Sequence, residues 1–167
     1  MKLARSLAVG VCALSVVACT ASSKGPSTGT YSVAFPSTAA AVATDTVQLL
    51  VFEVPAAPDQ RADFCLTLIQ GRKRQDPQKP ILLNAPVNIC EMLGGRKPFT
   101  IPYGEKAVLA VAKRKMNDFL IGCSIETFGE GDAPLEIDLA LVDVGVAVPD
   151  TPCATVGDFC TQKCPAL

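Results

Sequence analysis

Hydrophobic positions from Tyr31 onward recur with period two or in short continuous runs, a pattern typical of β-strands. In "PLEIDLALV" every second residue is apolar, and Glu136 and Asp138 between them face outward. The run "TVQLLVFEV" is apolar almost throughout, which predicts a strand covered on both faces. The predicted strands cover residues 31–35, 46–54, 63–71, 79–83, 106–115, 118–127 and 134–142.

Turn-forming residues separate these runs, as in "GRKRQDPQKP", "LGGRKP", "PYGE", "KMND" and "GEGDAP". Seven or eight short strands at this spacing predict an all-β fold, a single antiparallel β-sandwich, with a small β-barrel as the alternative. The segment 63–71 is included because Phe64, Leu66 and Leu68 alternate with polar or small residues. Short helical turns are allowed at 37–43 and 88–93 by local propensity.

The N-terminal residues have the pattern of a secretory signal peptide. Lys2 and Arg5 precede an uncharged run at 7–18, which is well short of the ~20 residues that a helix needs to cross a bilayer. A short positive segment followed by an apolar run of this length is typical of a segment removed on export. We therefore assign residues 1–18 to a signal peptide.

The end of this run, Val16-Val17-Ala18-Cys19, resembles the lipobox of bacterial lipoproteins. The resemblance implies that the Cys19 sulfur receives a diacylglycerol, that cleavage occurs before this residue, and that its new amino group is acylated with a fatty acid such as palmitate. The alternative is an ordinary signal peptide in which Cys19 is incidental.

Lipidation would anchor the protein to a membrane, because two or three acyl chains bind stably where one binds only marginally. The absence of Asp after Cys19 resembles the enterobacterial signal for the outer membrane, so the expected location is the cell envelope, at the outer membrane. The predicted organisation is a signal peptide at 1–18, a Ser/Thr/Gly tether at 19–30, the β-sandwich domain at 31–145 and a cysteine-rich tail at 146–167.

Six cysteines remain after the signal peptide and the lipidated residue are set aside, and an even number in an exported chain predicts three disulfides. Three lie in the domain and three in the tail, so complete pairing requires at least one bridge between them. One possible pairing joins Cys65 to Cys90 and leaves Cys123 for the tail. The predicted disulfide residues are Cys65, Cys90, Cys123, Cys153, Cys160 and Cys164.

The segment 101–112, "IPYGEKAVLAVA", resembles a turn and strand of transthyretin-like and carboxypeptidase-regulatory-like domains, which occur in surface lipoproteins of myxobacteria and their relatives. The following residues, "DFLIGCSIETFGEGDAPLEIDLAL", look like the hairpin and final strand of that pattern. The resemblance implies a β-sandwich architecture. It implies no activity, because such folds carry many unrelated functions.

The chain contains no histidine, which excludes Ser-His-Asp and Cys-His catalysis and histidine-based zinc sites. No motif frames another catalytic group, so we predict no catalytic residue, no metal site and no cofactor. After removal of the signal peptide, thirteen basic residues face sixteen acidic ones, a net charge of −3. This balance argues against nucleic acid as a partner.

Basic residues are nevertheless concentrated: residues 72–115 hold ten basic and three acidic side chains. If the two basic segments meet at one end of the domain, they form a positive patch for anionic lipid, lipopolysaccharide or acidic glycans. Ordinary turn charges that promote solubility are the alternative interpretation. The candidate anion-binding residues are Arg72, Lys73, Arg74, Lys113, Arg114 and Lys115.

These observations predict a lipid-anchored envelope protein without catalytic activity, whose disulfide-bonded β-sandwich serves interaction or structural support. Its expected partners are the membrane, through the lipid anchor, and another envelope protein. The alternative is a binding module for an anionic envelope or extracellular glycan, which would use the basic segments. An enzyme or enzyme inhibitor is the third hypothesis, and no group of residues assembles a site for it.

Overall fold

The computed structural model describes residues 27–92, 95, 97–129 and 134–164. The predicted signal peptide and Cys19 lie outside these residues. The described part of the chain is mostly β, with two sheets and a few short helices. It contains no helix that is long and apolar enough to cross a membrane.

Among the described residues, the two sheets contain nine strands in all, three in the small sheet and six in the large one. The small sheet has the order β5-β1-β8, with β1 at Ser27–Ala34, β5 at Lys97–Ile101 and β8 at Leu135–Asp138. The large sheet has the order β3-β2-β6-β7-β9, and β4 also pairs with β2. Its strands are β2 (Thr46–Glu53), β3 (Leu82–Leu83), β4 (Val87–Asn88), β6 (Gly104–Arg114), β7 (Asn117–Phe128) and β9 (Ala140–Leu141).

Five short helices complete the described part of the fold. The two helical turns allowed by the sequence are confirmed, at Thr38–Val42 (α1) and Ile89–Met92 (α4). In α1 the Ser37 side chain caps the first turn by accepting a hydrogen bond from the Ala40 N–H at 3.1 Å. The helices are α1 (Thr38–Val42), α2 (Pro58–Ala62), α3 (Phe64–Lys73), α4 (Ile89–Met92) and α5 (Val156–Cys160).

One hydrophobic core is shared by the two sheets. It takes Tyr31 and Ile137 from the small sheet and Leu49 and Leu120 from the large sheet, all at most 2 % exposed. Tyr31 also packs edge-to-face on Phe99, with ring centroids 5.6 Å apart. The central strands of the large sheet are buried on this face and on the opposite one, which explains their nearly continuous apolar sequences.

Helix α3 covers the opposite face of the large sheet, where the sequence pattern predicted a strand at 63–71. That prediction is wrong. Phe64 and Leu68, four residues apart, are buried together against Leu50 and Leu109, whereas Leu66 between them is 55 % exposed. Burial at i and i+4 is the helical spacing, and the outer face of the large sheet supplies the apolar surface that the helix covers.

Strand β1 begins at Ser27, four residues before the predicted start of the domain. Residues 27–30, predicted to belong to the tether, pair with β5 through partners from Ile101 back to Pro98. The predicted tether therefore overlaps the first strand by four residues.

The predicted strand at 134–142 is two strands in different sheets. β8 pairs with β1 and β9 pairs with β7, and Leu139 lies between them. The β1–β8 pair is parallel, so the prediction of a wholly antiparallel arrangement is wrong at this pair. β8 crosses β7 closely at Gly122, where a Cβ atom would overlap the Asp138 carbonyl oxygen.

The large sheet gives the domain two distinct ends. Ser27 pairs with Ile101, three residues before β6 begins, so the chain enters β1 close to the start of β6. The eleven residues of β6 then span roughly 33 Å to the turn that joins β6 to β7. We call the region around this turn, residues 113–118, the hairpin end; the chain enters β1 at the opposite end.

Three disulfides join the six predicted cysteines: Cys65–Cys123, Cys90–Cys160 and Cys153–Cys164. The predicted disulfides, and the predicted bridge between domain and tail, are confirmed. The pairing of Cys65 with Cys90 is wrong, because Cys65 lies on α3 against β7, whereas Cys90 lies on α4 beside the tail helix α5.

Candidate anion-binding site at the hairpin end

The turn between β6 and β7 consists of a lysine and a methionine, both in a backbone conformation that glycine or asparagine usually occupies. Lys115 and Met116 have φ values of 48° and 71°, so both lie in the left-handed region. Two successive positive φ values match the strand twist in a tight hairpin but are unfavourable for residues with side chains. Backbone strain of this kind persists only where the surrounding structure holds it.

Asp45, which precedes β2, holds this turn. Its Oδ2 accepts a hydrogen bond from the Lys115 N–H at 2.6 Å, and its own N–H donates to the Lys113 carbonyl oxygen at 2.8 Å. The Asp45 carbonyl oxygen accepts from the Ile89 N–H at the start of α4. The turn is therefore fixed to the body of the domain on its β2 side.

The second basic segment reaches the same end through α3. Arg72 donates from Nε to Asp118 Oδ2 at 2.6 Å and from a terminal nitrogen to Asp118 Oδ1 at 3.1 Å, a bidentate pair. Asp118 is the cross-strand partner of Lys113. The structure thus brings the Arg72–Arg74 segment and the Lys113–Lys115 segment together, as the sequence analysis required for a positive patch.

The six candidate residues have different surroundings. Arg72 is mostly buried and paired with Asp118, so its charge is already balanced. Lys73, Arg74 and Lys115 are exposed, and Lys113 and Arg114 are half-buried. Within the described residues, none of these last five forms an ion pair. Five cationic groups are therefore free to meet an external anion.

Arg114 also contributes to a cavity beside the turn. Its guanidinium lies 5.8 Å from the centroid of the Phe119 ring, a cation–π arrangement that orients the side chain. The cavity has a volume of about 300 Å³. Its lining residues are Arg114, Lys115, Asn117, Asp118, Phe119 and Val146.

Guanidinium, ammonium and amide donors in this arrangement suit phosphate or carboxylate groups, which they bind through charge-assisted hydrogen bonds. Three nearby carboxylates accept hydrogen bonds: Asp118 from Arg72, Asp45 from the turn backbone, and Asp143 from the Gly145 N–H. No group of three or more cysteine, aspartate or glutamate side chains among the described residues is placed to hold a metal ion. The arrangement therefore offers anion binding.

Two further cavities lie near the tail. One, of about 310 Å³, is mainly apolar and is formed by the end of β1 with α4 and α5, including Phe35, Met92 and Val156. The other, of about 430 Å³, is lined by polar residues and by the Cys90–Cys160 bridge. Neither contains any of the six basic candidates.

At the opposite end of the large sheet two basic residues are paired with carboxylates. Lys106 is buried, and its Nζ lies 3.2 Å from Glu53 Oε2. Arg61 pairs with Glu105.

Burial raises the pKa of one core residue, the Tyr31 phenol, above its ordinary value. Tyr31 lies between the sheets and takes no part in the basic site.

Sequence reasoning identified the basic residues but missed those that bring them together. Nothing in the sequence distinguishes Asp45 and Asp118 from other acidic residues near turns. The signal "KMND" predicts the turn but not that Met116 projects from its tip, 87 % exposed.

No protein family matches this chain, and comparisons with curated proteins and with solved structures find no match either.

Proposed function

We propose that this is a lipid-anchored cell-envelope protein, without catalytic activity, whose hairpin end binds an anionic component of the envelope. The chemistry recognised is a phosphate or carboxylate group, carried by an acidic glycan or by a lipid headgroup. The observation that carries the proposal is the Arg72–Asp118 pair, which joins the two basic segments at one end of the domain.

The distribution of charge supports this proposal. Five cations at the hairpin end have no carboxylate partner among the described residues, whereas Arg61 and Lys106 at the opposite end are paired. Each basic side chain close to an anionic surface contributes about 1 kcal/mol, and this attraction weakens as salt screens it. A patch of five such groups would bind a polyanion without a deep pocket.

The anchor is proposed from the lipobox resemblance at Cys19. Eight residue steps separate Cys19 from Ser27, which allow a reach of at most about 28 Å when fully extended. We infer an outer-membrane location from the residues that follow Cys19. In this arrangement the domain would stand close to its membrane.

We also infer that the two sheets form a sandwich of the immunoglobulin-like or transthyretin-like type. Its support is the core shared by both sheets, together with Asn84, which links them. The Asn84 N–H donates to Leu49 of the large sheet, and its Oδ1 accepts from the Thr100 N–H of the small sheet.

The proposal is tested with a chain of residues 20–167, which retains every described residue and carries no acyl group. Binding to a fluorescent acidic polysaccharide and to vesicles containing phosphatidylglycerol is measured at low and high salt. We expect binding to at least one of the two, with affinity falling at least tenfold from 50 to 500 mM salt.

The matched variants remove charge at the two ends. Lys73→Gln combined with Lys115→Gln should lower affinity about tenfold or more, whereas Arg61→Gln at the opposite end should leave it unchanged. Equal binding by all three proteins, or no binding to either anion, would overturn the proposal.

A further inference from the structure

Two apolar side chains project into solvent at the hairpin end. Met116 is 87 % exposed and Val144 is fully exposed. Met116 follows three basic residues, whereas Val144 lies between Asp143 and Gly145. Exposed apolar side chains next to basic ones are the combination found in segments that enter the interface of a lipid bilayer. They add nothing to the binding of a soluble polyanion, which needs only the charges.

The two tips flank the same cavity. Met116 lies between Lys115 and Asn117, which both line it, and Val144 lies two residues before Val146, which also lines it. β9 pairs with β7 immediately before the second loop, and the Val142 N–H donates to the Phe119 carbonyl oxygen at 3.0 Å. The two loops are therefore neighbours.

Both tips are held in place before any partner arrives. Asp45 fixes the first through its bond to the Lys115 N–H, and the second is closed by the bond from the Gly145 N–H to Asp143 Oδ1 at 3.2 Å. Because the loops are already ordered, less conformational entropy is lost on binding. The turn requires the left-handed conformation at position 116 but does not require methionine there, where glycine or asparagine would be less strained.

We propose that the hairpin end docks on an anionic lipid bilayer, with Met116 and Val144 entering the interface while the surrounding lysines and arginines contact the headgroups. This rests on the proposed function and names its partner as a lipid surface rather than a soluble glycan. Because the chain enters β1 at the end opposite the hairpin end, the bilayer that the tips enter is one that lies across from the anchored end of the domain. The unpaired cations complement an anionic surface, and the two exposed apolar tips favour a surface with an apolar interior.

The chain offers a direct probe of insertion because it contains no tryptophan. Met116→Trp in the chain of residues 20–167 places a single fluorophore at the tip, and Leu66→Trp places one on the exposed face of α3. With vesicles containing about one-third phosphatidylglycerol, we expect a blue shift and quenching by acyl-chain-brominated lipid for Met116→Trp only. Unshifted and unquenched emission from vesicle-bound Met116→Trp would overturn the inference.

A second measurement separates the apolar contribution from the charges. Met116→Ser combined with Val144→Ser should weaken vesicle binding about tenfold or more, while binding of a soluble acidic polysaccharide is unchanged. Leu66→Ser is the control and should bind vesicles like the parent.

The outcomes distinguish this inference from the proposed function. If the double serine variant binds vesicles as the parent does, docking by the tips is wrong while charge-based binding stands. If the parent binds the polysaccharide but no vesicle, the partner is a glycan and this inference falls. If it binds neither, both proposals fall.

Discussion

Arg72 and Asp118, forty-six residues apart in sequence, form a bidentate ion pair that fixes the last turn of α3 to the first residues of β7. The Arg72 guanidinium also lies in the last turn of the helix, where a positive charge complements the helix dipole. One side chain therefore joins the helical layer to the large sheet and places Lys73 and Arg74 beside the basic turn.

The first prediction concerns this pair. Arg72→Gln should lower the free energy of unfolding by about 1–2 kcal/mol, because a partly buried, charge-assisted bidentate contact is lost. Lys73→Gln, which removes the same charge at an exposed position, should change it by less than about 0.5 kcal/mol. Urea unfolding measures both, and a double-mutant cycle with Asp118→Asn should show coupling. Equal midpoints for the two glutamine variants would contradict the prediction.

The close crossing of β7 and β8 gives a second prediction. Gly122→Ala would place a Cβ against the Asp138 carbonyl oxygen and within 2.8 Å of Ile137 Cγ2, so one strand must move. We expect a loss of about 2–4 kcal/mol in thermal or urea unfolding. Gly145→Ala is the matched control, because nothing lies within 4 Å of its added methyl group. A Gly122→Ala protein as stable as the control would show that the crossing is not tight.

The bridge between α4 and α5 gives a third prediction. Replacing Cys90 and Cys160 together by serine should cost about 2–4 kcal/mol and expose the tail to limited proteolysis, because this bridge closes a seventy-residue separation. Replacing Cys65 and Cys123 by serine should instead make α3 accessible to limited proteolysis. Mass mapping of early cleavage sites distinguishes the two patterns, and identical patterns would contradict the assignment.

A pH dependence follows from the buried Tyr31. Because burial raises its pKa in the folded state, its contribution to stability is complete below about pH 10 and is lost as the pH rises through the folded-state pKa. The unfolded chain releases this proton first, so stability falls above pH 10. Tyr31→Phe should reduce that fall, measured as the change in urea midpoint between pH 8 and 10.5. Tyr103→Phe is the control, and a Tyr31→Phe protein that falls as steeply as the control would refute the prediction.

The proposed anchor predicts that Cys19→Ala abolishes labelling by a fatty-acid probe and leaves the N-terminal segment uncleaved by the lipoprotein peptidase. Cys12→Ala is the control, because this cysteine lies within the predicted signal peptide and should leave labelling unchanged. The measurement is metabolic labelling followed by gel fluorescence. Labelling that survives Cys19→Ala would refute the lipobox assignment.

The sequence predicted the central strands well because their burial pattern is local. β6 and β7 lie within a few residues of the predicted ranges, and the turn between them follows from "KMND". The apolar run of β2 also indicated a strand covered on both faces. This pattern implies that a second layer covers the outer face of the large sheet, but it does not indicate which segment forms that layer.

That layer is helix α3, and its sequence is compatible with both a strand and a helix. Phe64, Leu66 and Leu68 satisfy a strand with period two, whereas Phe64 and Leu68 alone satisfy a helix. The choice depends on the opposing surface, which needs cover from a helix and is formed by residues distant in sequence, such as Leu50 and Leu109. Asp118 could not be identified from the sequence for the same reason, because it meets Arg72 only when α3 packs on the large sheet.

The disulfide connectivity also bears on how the chain matures. Joining the six cysteines in the order in which synthesis delivers them would give Cys65–Cys90, Cys123–Cys153 and Cys160–Cys164. None of these is a native bridge, because the native pairs Cys65–Cys123 and Cys90–Cys160 interleave. An oxidase acting on neighbouring thiols alone would trap the chain, so its biogenesis calls for disulfide isomerisation or for oxidation delayed until the sheets have formed.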